Sequence, residues 1–182
     1  MNIKQLIENA EAGDMKAQSS LAYFYIEGDG VPQDYEKAFY WVKKAAAQED
    51  IYAMYNLGYL YWSGKGTTQD YEKAFFWFSL AAEKGFAKAQ NYLGAMYSNG
   101  RGVGQDFEEA FIWLSIAAKQ NHPNAQCRLA LMYINGNGVP ESLSQAAHWA
   151  NLAYKQGSEF AAEMIDEYEL WEYIHTPYQG LL

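Results

Sequence analysis

Apolar residues recur along the chain in two alternating patterns that are both typical of helices. In the first pattern, Ala17 and Leu21 lie four residues apart and share one face of a helix that turns about 100° per residue. The second pattern begins after Asp34, a residue suited to capping a helix start, and two glycines separate it from the first. The pattern predicts an A helix over about 14–27 and a B helix over about 34–48.

This helix pair recurs in register, with equivalent residues 36 positions apart. The recurring columns are Ala17, Ala53, Ala89 and Ala125; Leu21, Leu57, Leu93 and Leu129; Tyr25, Tyr61, Tyr97 and Tyr133; Trp41, Trp77, Trp113 and Trp149; and the Gly-x-Gly pairs that begin at Gly28, Gly64, Gly100 and Gly136. A single helix pair cannot bury both of its apolar faces, so each pair must stack on its neighbours.

We therefore predict a single all-α domain over residues 1–182, a right-handed α/α superhelical solenoid of ten helices. Half-repeats are expected to cap both ends, because the first residues align with a B helix and the last helical segment with an A helix. The predicted boundaries are an N-terminal capping helix over 2–13, repeats over 14–49, 50–85, 86–121 and 122–157, a C-terminal capping helix over 158–174 and a tail over 175–182.

One turn between a B helix and the next A helix departs from the pattern. Three of the equivalent turns have glycine at this position and a fourth has Asn121, whereas the first repeat has Glu49. A left-handed conformation at glutamate costs about 1 kcal/mol. We therefore expect an altered turn at 48–50.

The motif Ala-x3-Leu-Gly-x2-Tyr-x2-Gly-x-Gly, followed by x3-Asp-x3-Ala-x2-Trp-x3-Ala-Ala, is clearest over 53–82 and 89–118. It resembles the Sel-one-like repeat (SLR) family, relatives of the tetratricopeptide repeats. The resemblance implies A helices that line a concave surface, and a role as an adaptor or scaffold. Bacterial members are common, and some neutralise or regulate secreted effectors. Some secreted members carry disulfides and have been described as binding β-lactams, but this chain lacks their cysteine pairs and Ser-x-x-Lys.

The formal charge of −9 narrows the class of partner. An acidic chain is a poor partner for nucleic acid or anionic membranes, so we expect neither, and a basic protein or peptide suits it better. No run approaches the ~18 apolar residues that span a bilayer. The single cysteine, Cys127, excludes an intramolecular disulfide. We expect a cytoplasmic protein, periplasmic or secreted only if a signal peptide has been removed.

Positions that vary between repeats are available to a partner, and they lie on the A-helix face opposite Leu21 and Tyr25. In the second repeat this face carries four aromatic residues, which make good interface anchors on rigid helices. The alternative is that they fill the inside of a tight superhelix. The predicted partner-binding groove consists of Tyr23, Tyr52, Tyr55, Tyr59, Trp62, Asn91, Leu131 and Ile134. Asn91 either hydrogen-bonds an extended peptide or is an ordinary solvated residue.

The C-terminal segment is acidic and then apolar. Its helix is either a solvated cap or a docking face for a basic partner. The tail over 175–182 either packs on the last repeat or reaches a second copy to form a homodimer.

Candidate chemistry is sparse. His122, His148 and His175 lie in different repeats without metal-binding spacing, and none is placed to activate Cys127. The Gly-x-Gly pairs follow helices and lack the Lys-Ser/Thr of a phosphate loop. We predict no catalytic, metal or cofactor site.

The sequence therefore predicts a protein-interaction adaptor or scaffold that holds a peptide or protein in its groove. A more specific form of this hypothesis is that the bound protein is an effector, which the adaptor regulates or neutralises. The alternatives are a self-assembling structural component and a small-ligand binder or hydrolase.

Overall fold

Every regular element among residues 3–174, the part of the chain that the computed structural model describes, is an α-helix. The helices are α1 (Ile3–Glu11), α2 (Met15–Glu27), α3 (Tyr35–Ala46), α4 (Ile51–Ser63), α5 (Tyr71–Glu83), α6 (Ala87–Asn99), α7 (Phe107–Lys119), α8 (Pro123–Asn135), α9 (Leu143–Lys155), α10 (Glu159–Glu167) and α11 (Trp171–Ile174). The A helices are α2, α4, α6 and α8, and the B helices are α3, α5, α7 and α9, as predicted.

The helices are grouped into two compact units. The N-terminal unit contains α1 to α5, the first residues of α6 up to Ala89, and the loop Arg101–Val103. The C-terminal unit contains the rest of α6 from Gln90 and α7 to α11. In the first unit Leu21, Leu57 and Phe78 are buried, whereas the second buries the alanines of α9 against Met164 and Ile165 of α10.

Side-chain caps explain where most helices begin. Each B helix is preceded by an aspartate or serine whose oxygen accepts a backbone N–H, as Asp34 does from Lys37 at 3.0 Å and Ser142 from Gln145 at 3.3 Å. On the A helices, Asp50 caps α4 by accepting from the N–H of Ala53 at 2.7 Å. These bonds satisfy N–H groups that have no partner inside the helix.

The expectation of an altered turn at 48–50 is wrong. Glu49 adopts an ordinary left-handed conformation with φ of 66°. The backbone N–H of Glu49 donates to Ala46 at 3.0 Å and that of Asp50 to Ala45 at 3.2 Å, the same pattern that Gly85 and Phe86 form in the next repeat. These bonds satisfy the last carbonyls of the helix, so the turn keeps its shape despite the strain at glutamate.

The second glycine of each Gly-x-Gly pair allows close contact between successive repeats. A Cβ on Gly66 would overlap the backbone carbonyl of Tyr35, at the start of the preceding B helix. Gly102 has the same relation to Tyr71 within the N-terminal unit, and Gly138 to Phe107 within the C-terminal unit. A Cβ on Gly30, in contrast, would meet nothing within 4 Å.

A buried glutamine connects some A helices to the B helices before and after them. Gln126 in α8 is fully buried, and its Nε2 donates to the carbonyl of Ala118 in α7 at 3.2 Å. The Nε2 of Gln156, which follows α9, donates to Gln126 Oε1 at 2.8 Å. Gln18 has the same two kinds of partner in the N-terminal unit. Met54 occupies this position in the second repeat and is also buried.

The predicted C-terminal capping helix over 158–174 is two helices rather than one, so residues 3–174 contain eleven helices instead of the ten predicted. Glu169 is left-handed with φ of 52°, and the N–H of Leu170 donates to the carbonyl of Ile165 at 2.9 Å. This turn ends α10 and brings Leu170 into a fully buried position. The tail over 175–182, with His175 and the suggested homodimer contact, lies outside the described residues, as do residues 1 and 2.

We expect Gly66→Ala to destabilise the protein more than Gly30→Ala. Both glycines have φ near 70°, so both substitutions carry a left-handed penalty of about 1 kcal/mol. Only the Gly66 variant adds a clash with backbone, which should remove about 2 kcal/mol more. Urea unfolding of the two variants measures the difference, and equal losses would refute the close contact.

We expect Gln126→Met to be tolerated better than Gln126→Ala, because Met54 shows that methionine fills the equivalent position. The alanine variant leaves a cavity and removes the hydrogen bonds, so it should cost about 3 kcal/mol, against about 1 kcal/mol for methionine. Equal destabilisation in urea titrations would mean that the hydrogen bonds, not the filled volume, stabilise this position.

Candidate functional site

The N-terminal unit has a cleft of about 720 Å³ between α2, α4 and the start of α6. We call it the aromatic cleft. Its walls are mainly rings, and the Phe86 ring lies 5.4 Å from that of Tyr52 and 5.1 Å from that of Tyr55, both edge to face. The lining residues are Ser19, Ser20, Tyr23, Phe24, Tyr52, Tyr55, Asn56, Phe86 and Lys88. Three predicted groove residues, Tyr23, Tyr52 and Tyr55, therefore lie together.

A second cleft, of about 470 Å³, adjoins the first and has a different chemistry. We call it the lysine cleft. Its lining residues are Tyr23, Ile26, Glu27, Gln33, Tyr35, Tyr55, Asn56, Tyr59, Lys65 and Lys88. The two clefts share Tyr23, Tyr55, Asn56 and Lys88, so together they form one trough along the A-helix face of this unit.

Tyr59 and Trp62 both belong to the predicted groove, but the structure gives them different surroundings. Tyr59 lines the lysine cleft. Trp62 is half-buried beside the start of α5, where its ring lies 4.9 Å from that of Tyr71 and the guanidinium of Arg101 lies 5.6 Å above it. Trp62 thus packs against the chain itself.

Leu131 and Ile134 belong to the C-terminal unit. Both are half-buried and pack against its core, and Leu131 also lines a smaller cleft of about 280 Å³ with Asn99, Arg128 and Asn135. The amide of Asn99 donates to the carbonyl of Ala95 at 2.7 Å, and that of Asn135 donates to Leu131 at 2.9 Å. This cleft is lined by polar and apolar residues in similar measure, and Phe107 is the one ring among its lining residues.

Asn91, the remaining predicted groove residue, is buried in α6 with 7% of its surface exposed. Its Oδ1 accepts no hydrogen bond from the described residues. The solvated asparagine considered from the sequence is therefore not what the structure shows.

Phe86, Lys65 and Lys88 line the trough but were absent from the predicted groove. Phe86 did carry a signal in the sequence. It precedes α6 at the position where Asp14, Asp50, His122 and Ser158 each cap an A helix. Phenylalanine has no side-chain oxygen to cap with, and losing a cap costs about 1 kcal/mol. The third A helix therefore begins with a cleft-lining ring where the others begin with a cap.

The histidines and the cysteine that were considered for chemistry are packed or hydrogen-bonded within the fold. His122 Nδ1 accepts the N–H of Ala125 at 3.3 Å and so caps α8. His148 is half-buried beside Trp149, and burial lowers its pKa. Cys127 is buried with its Sγ 3.6 Å from Ser158 Oγ, and burial raises the pKa of the thiol. Within residues 3–174, no His, Cys, Asp and Glu side chains are grouped to hold a metal ion.

None of the helices in the described part of the chain has the length and apolar character needed to cross a bilayer.

A family model described as Sel1 repeat matches residues 16–50, 51–86, 87–122 and 123–158. No curated protein matches the chain significantly in sequence. These four matches follow the repeats predicted from the sequence to within a few residues.

Three solved structures are similar to the chain. A protective antigen from uropathogenic Escherichia coli strains that displays an SLR fold is 36% identical, with a TM-score of 0.86 over 92% of this chain and 36% of that one. A Sel1 repeat protein from Oxalobacter formigenes is 34% identical, with a TM-score of 0.78 over 91% and 48%. Helicobacter pylori cysteine rich protein B is 26% identical, with a TM-score of 0.56 over 72% and 95%.

The chain thus spans about a third and about a half of the length of the first two structures. The predicted resemblance and the all-α repeat-solenoid class are confirmed by these matches.

We expect the Cys127 thiol to react slowly in the folded protein, because it is buried and its raised pKa leaves little thiolate. Iodoacetamide at mildly alkaline pH should modify it orders of magnitude more slowly in the folded protein than in urea. Mass spectrometry follows the reaction. Fast labelling of the folded protein would contradict the buried position and reopen a role for the thiol.

Proposed function

This chain belongs to the Sel1 repeat family, and on that premise we propose that its N-terminal unit binds a peptide segment of another protein in the aromatic cleft. Sel1 repeat proteins are commonly scaffolds for protein–protein interaction. The proposal adds to that general role a location on this chain and a kind of ligand.

The observation that carries the proposal is the exchange of a helix cap for an aromatic ring at Phe86. The side chain packs on Tyr52 and Tyr55 and completes the wall of the cleft. A capping residue there would stabilise α6 by about 1 kcal/mol. A residue that forgoes local stability while shaping a cleft is expected at a functional site.

The shape and stiffness of the trough favour a peptide over a compact small molecule. The aromatic cleft continues into the lysine cleft, so an extended chain occupies both, whereas a small molecule fills only one. Tyrosines held on helices lose little conformational entropy when they bind, and such rings anchor many interfaces.

The proposed role is binding without catalysis. The described residues that line the trough supply phenols, amides, amines and the carboxylate of Glu27, and Ser19 donates its hydroxyl proton to Asp50 at 3.0 Å. The net charge of −9 favours a partner that is basic overall. We propose that the acidic surface of α10, which includes Glu159, Glu163 and Glu167, attracts the basic residues of this partner.

The test is selection of random linear peptides on the protein by display, followed by measurement of the affinity of the strongest peptide. We expect the Tyr23→Ala/Tyr52→Ala variant to bind that peptide about thirtyfold more weakly, because the two rings together should contribute about 2 kcal/mol. These side chains are 52% and 65% exposed, so the variant should remain folded.

The matched control is Tyr40→Ala/Phe76→Ala, which removes two rings of similar exposure, 52% and 54%, from B helices outside the trough. It should bind like the wild type. A further variant, Phe86→Asp, removes the ring but restores the cap found at Asp50, so it separates loss of the cleft from loss of the helix start. If no peptide is enriched, or if the trough variants bind like the control, the proposed function is wrong.

A further inference from the structure

Lys65 is held in a defined position in the lysine cleft by two tyrosines. It lies between Gly64 and Gly66 in the loop after α4, and its Nζ donates a hydrogen bond to Tyr35 Oη at 3.2 Å. The same Nζ lies 4.8 Å from the centre of the Tyr35 ring and 5.9 Å from that of Tyr59. A lysine held by a phenol and two rings loses less conformational entropy when it binds an anion than a free surface lysine does.

The local charge of the lysine cleft is opposite to the charge of the whole chain. The protein has 22 acidic and 13 basic residues, yet Lys65 and Lys88 line this cleft against one carboxylate, that of Glu27. A local excess of positive charge on an acidic protein is hard to attribute to average composition. It points to a ligand with negative charge at this place.

The uncharged groups in the cleft also suit an anion. Tyr35 accepts a hydrogen bond from Lys65 and keeps its own hydroxyl proton for a further acceptor. The cleft also contains the phenols of Tyr23 and Tyr55. A carboxylate only accepts hydrogen bonds, so ammonium and phenol groups together match its requirements.

We propose that the lysine cleft binds the side-chain carboxylates of an acidic peptide segment whose apolar residue occupies the adjoining aromatic cleft. This inference rests on the proposed function and specifies its partner: a segment in which an apolar residue lies close to aspartate or glutamate. Because the two clefts share Tyr23, Tyr55, Asn56 and Lys88, the two parts of the segment lie side by side.

The charge state of Lys65 supports the proposal. Its hydrogen bond to Tyr35, together with the proximity of Tyr59, raises the pKa of Lys65 above its ordinary value. The amine therefore remains positively charged throughout the neutral and mildly alkaline range.

The experiment selects random linear peptides by display on wild-type protein and on Lys65→Gln/Lys88→Gln. The matched control is Lys43→Gln/Lys44→Gln, which changes the net charge by the same amount on α3, outside the trough. The strongest peptides are then synthesised with acetylated and amidated ends, so that side chains supply the only carboxylates.

We expect peptides selected on the wild type and on the control to be enriched in aspartate and glutamate beside an apolar residue. Their affinity should fall about tenfold in the Lys65/Lys88 variant, which corresponds to about 1.4 kcal/mol, and should weaken with added salt. A charge-reversed variant, Lys65→Glu/Lys88→Glu, should select basic peptides instead. Thermal unfolding of each variant shows that it remains folded.

The outcomes separate this inference from the proposed function. Peptides that depend on Tyr23 and Tyr52 but carry no acidic residues, or that bind both lysine variants equally, would overturn the acidic-segment proposal and leave the aromatic cleft as the binding site. Selection of basic peptides on the wild type would also overturn it. The absence of any enriched peptide would overturn both proposals.

Discussion

The close contact between each glycine loop and the backbone of the preceding repeat is the constraint on which the other features depend. Gly66 lies against the carbonyl of Tyr35, and Gly138 has the same relation to Phe107 in the C-terminal unit. A side chain at either glycine would force the two backbones apart. Because the contact joins backbone to backbone, it sets the offset between successive helix pairs whichever side chains fill the rest of the interface.

The same constraint places functional residues beside one another. The loop that contains Gly66 also contains Lys65. The contact that sets the offset between repeats therefore also places Lys65 within hydrogen-bond distance of Tyr35. The trough then arises where the repeats differ from one another. In the second A helix Tyr52 and Tyr55 occupy the positions of Lys16 and Ser19 in the first, and Phe86 replaces a capping residue before the third. A scaffold of equivalent helices tolerates these exchanges because the recurring columns maintain the packing.

Charge acts on two length scales in this protein. The net charge of −9 governs long-range attraction and favours a basic partner overall. Within the lysine cleft, a bound group interacts mainly with the charges that it contacts, and there Lys65 and Lys88 outnumber the carboxylate of Glu27. The two tendencies are compatible in a partner that is basic overall and presents a short acidic segment. The long-range attraction follows from the composition, whereas the local charge of the cleft follows from the positions of individual side chains.

The sequence by itself determined the helix pairs, their order and most of their ends, because these depend on local periodicity and on capping side chains such as Asp34 and Ser142. It also located Tyr23, Tyr52 and Tyr55, because their departure from the repeat is visible in the sequence. Only the tertiary structure decided that Glu49 keeps a regular turn, that Leu170 is buried after a break in the last helix, and that Lys65 meets Tyr35. These features depend on contacts or hydrogen bonds whose energy outweighs local preference, and a linear pattern does not contain them.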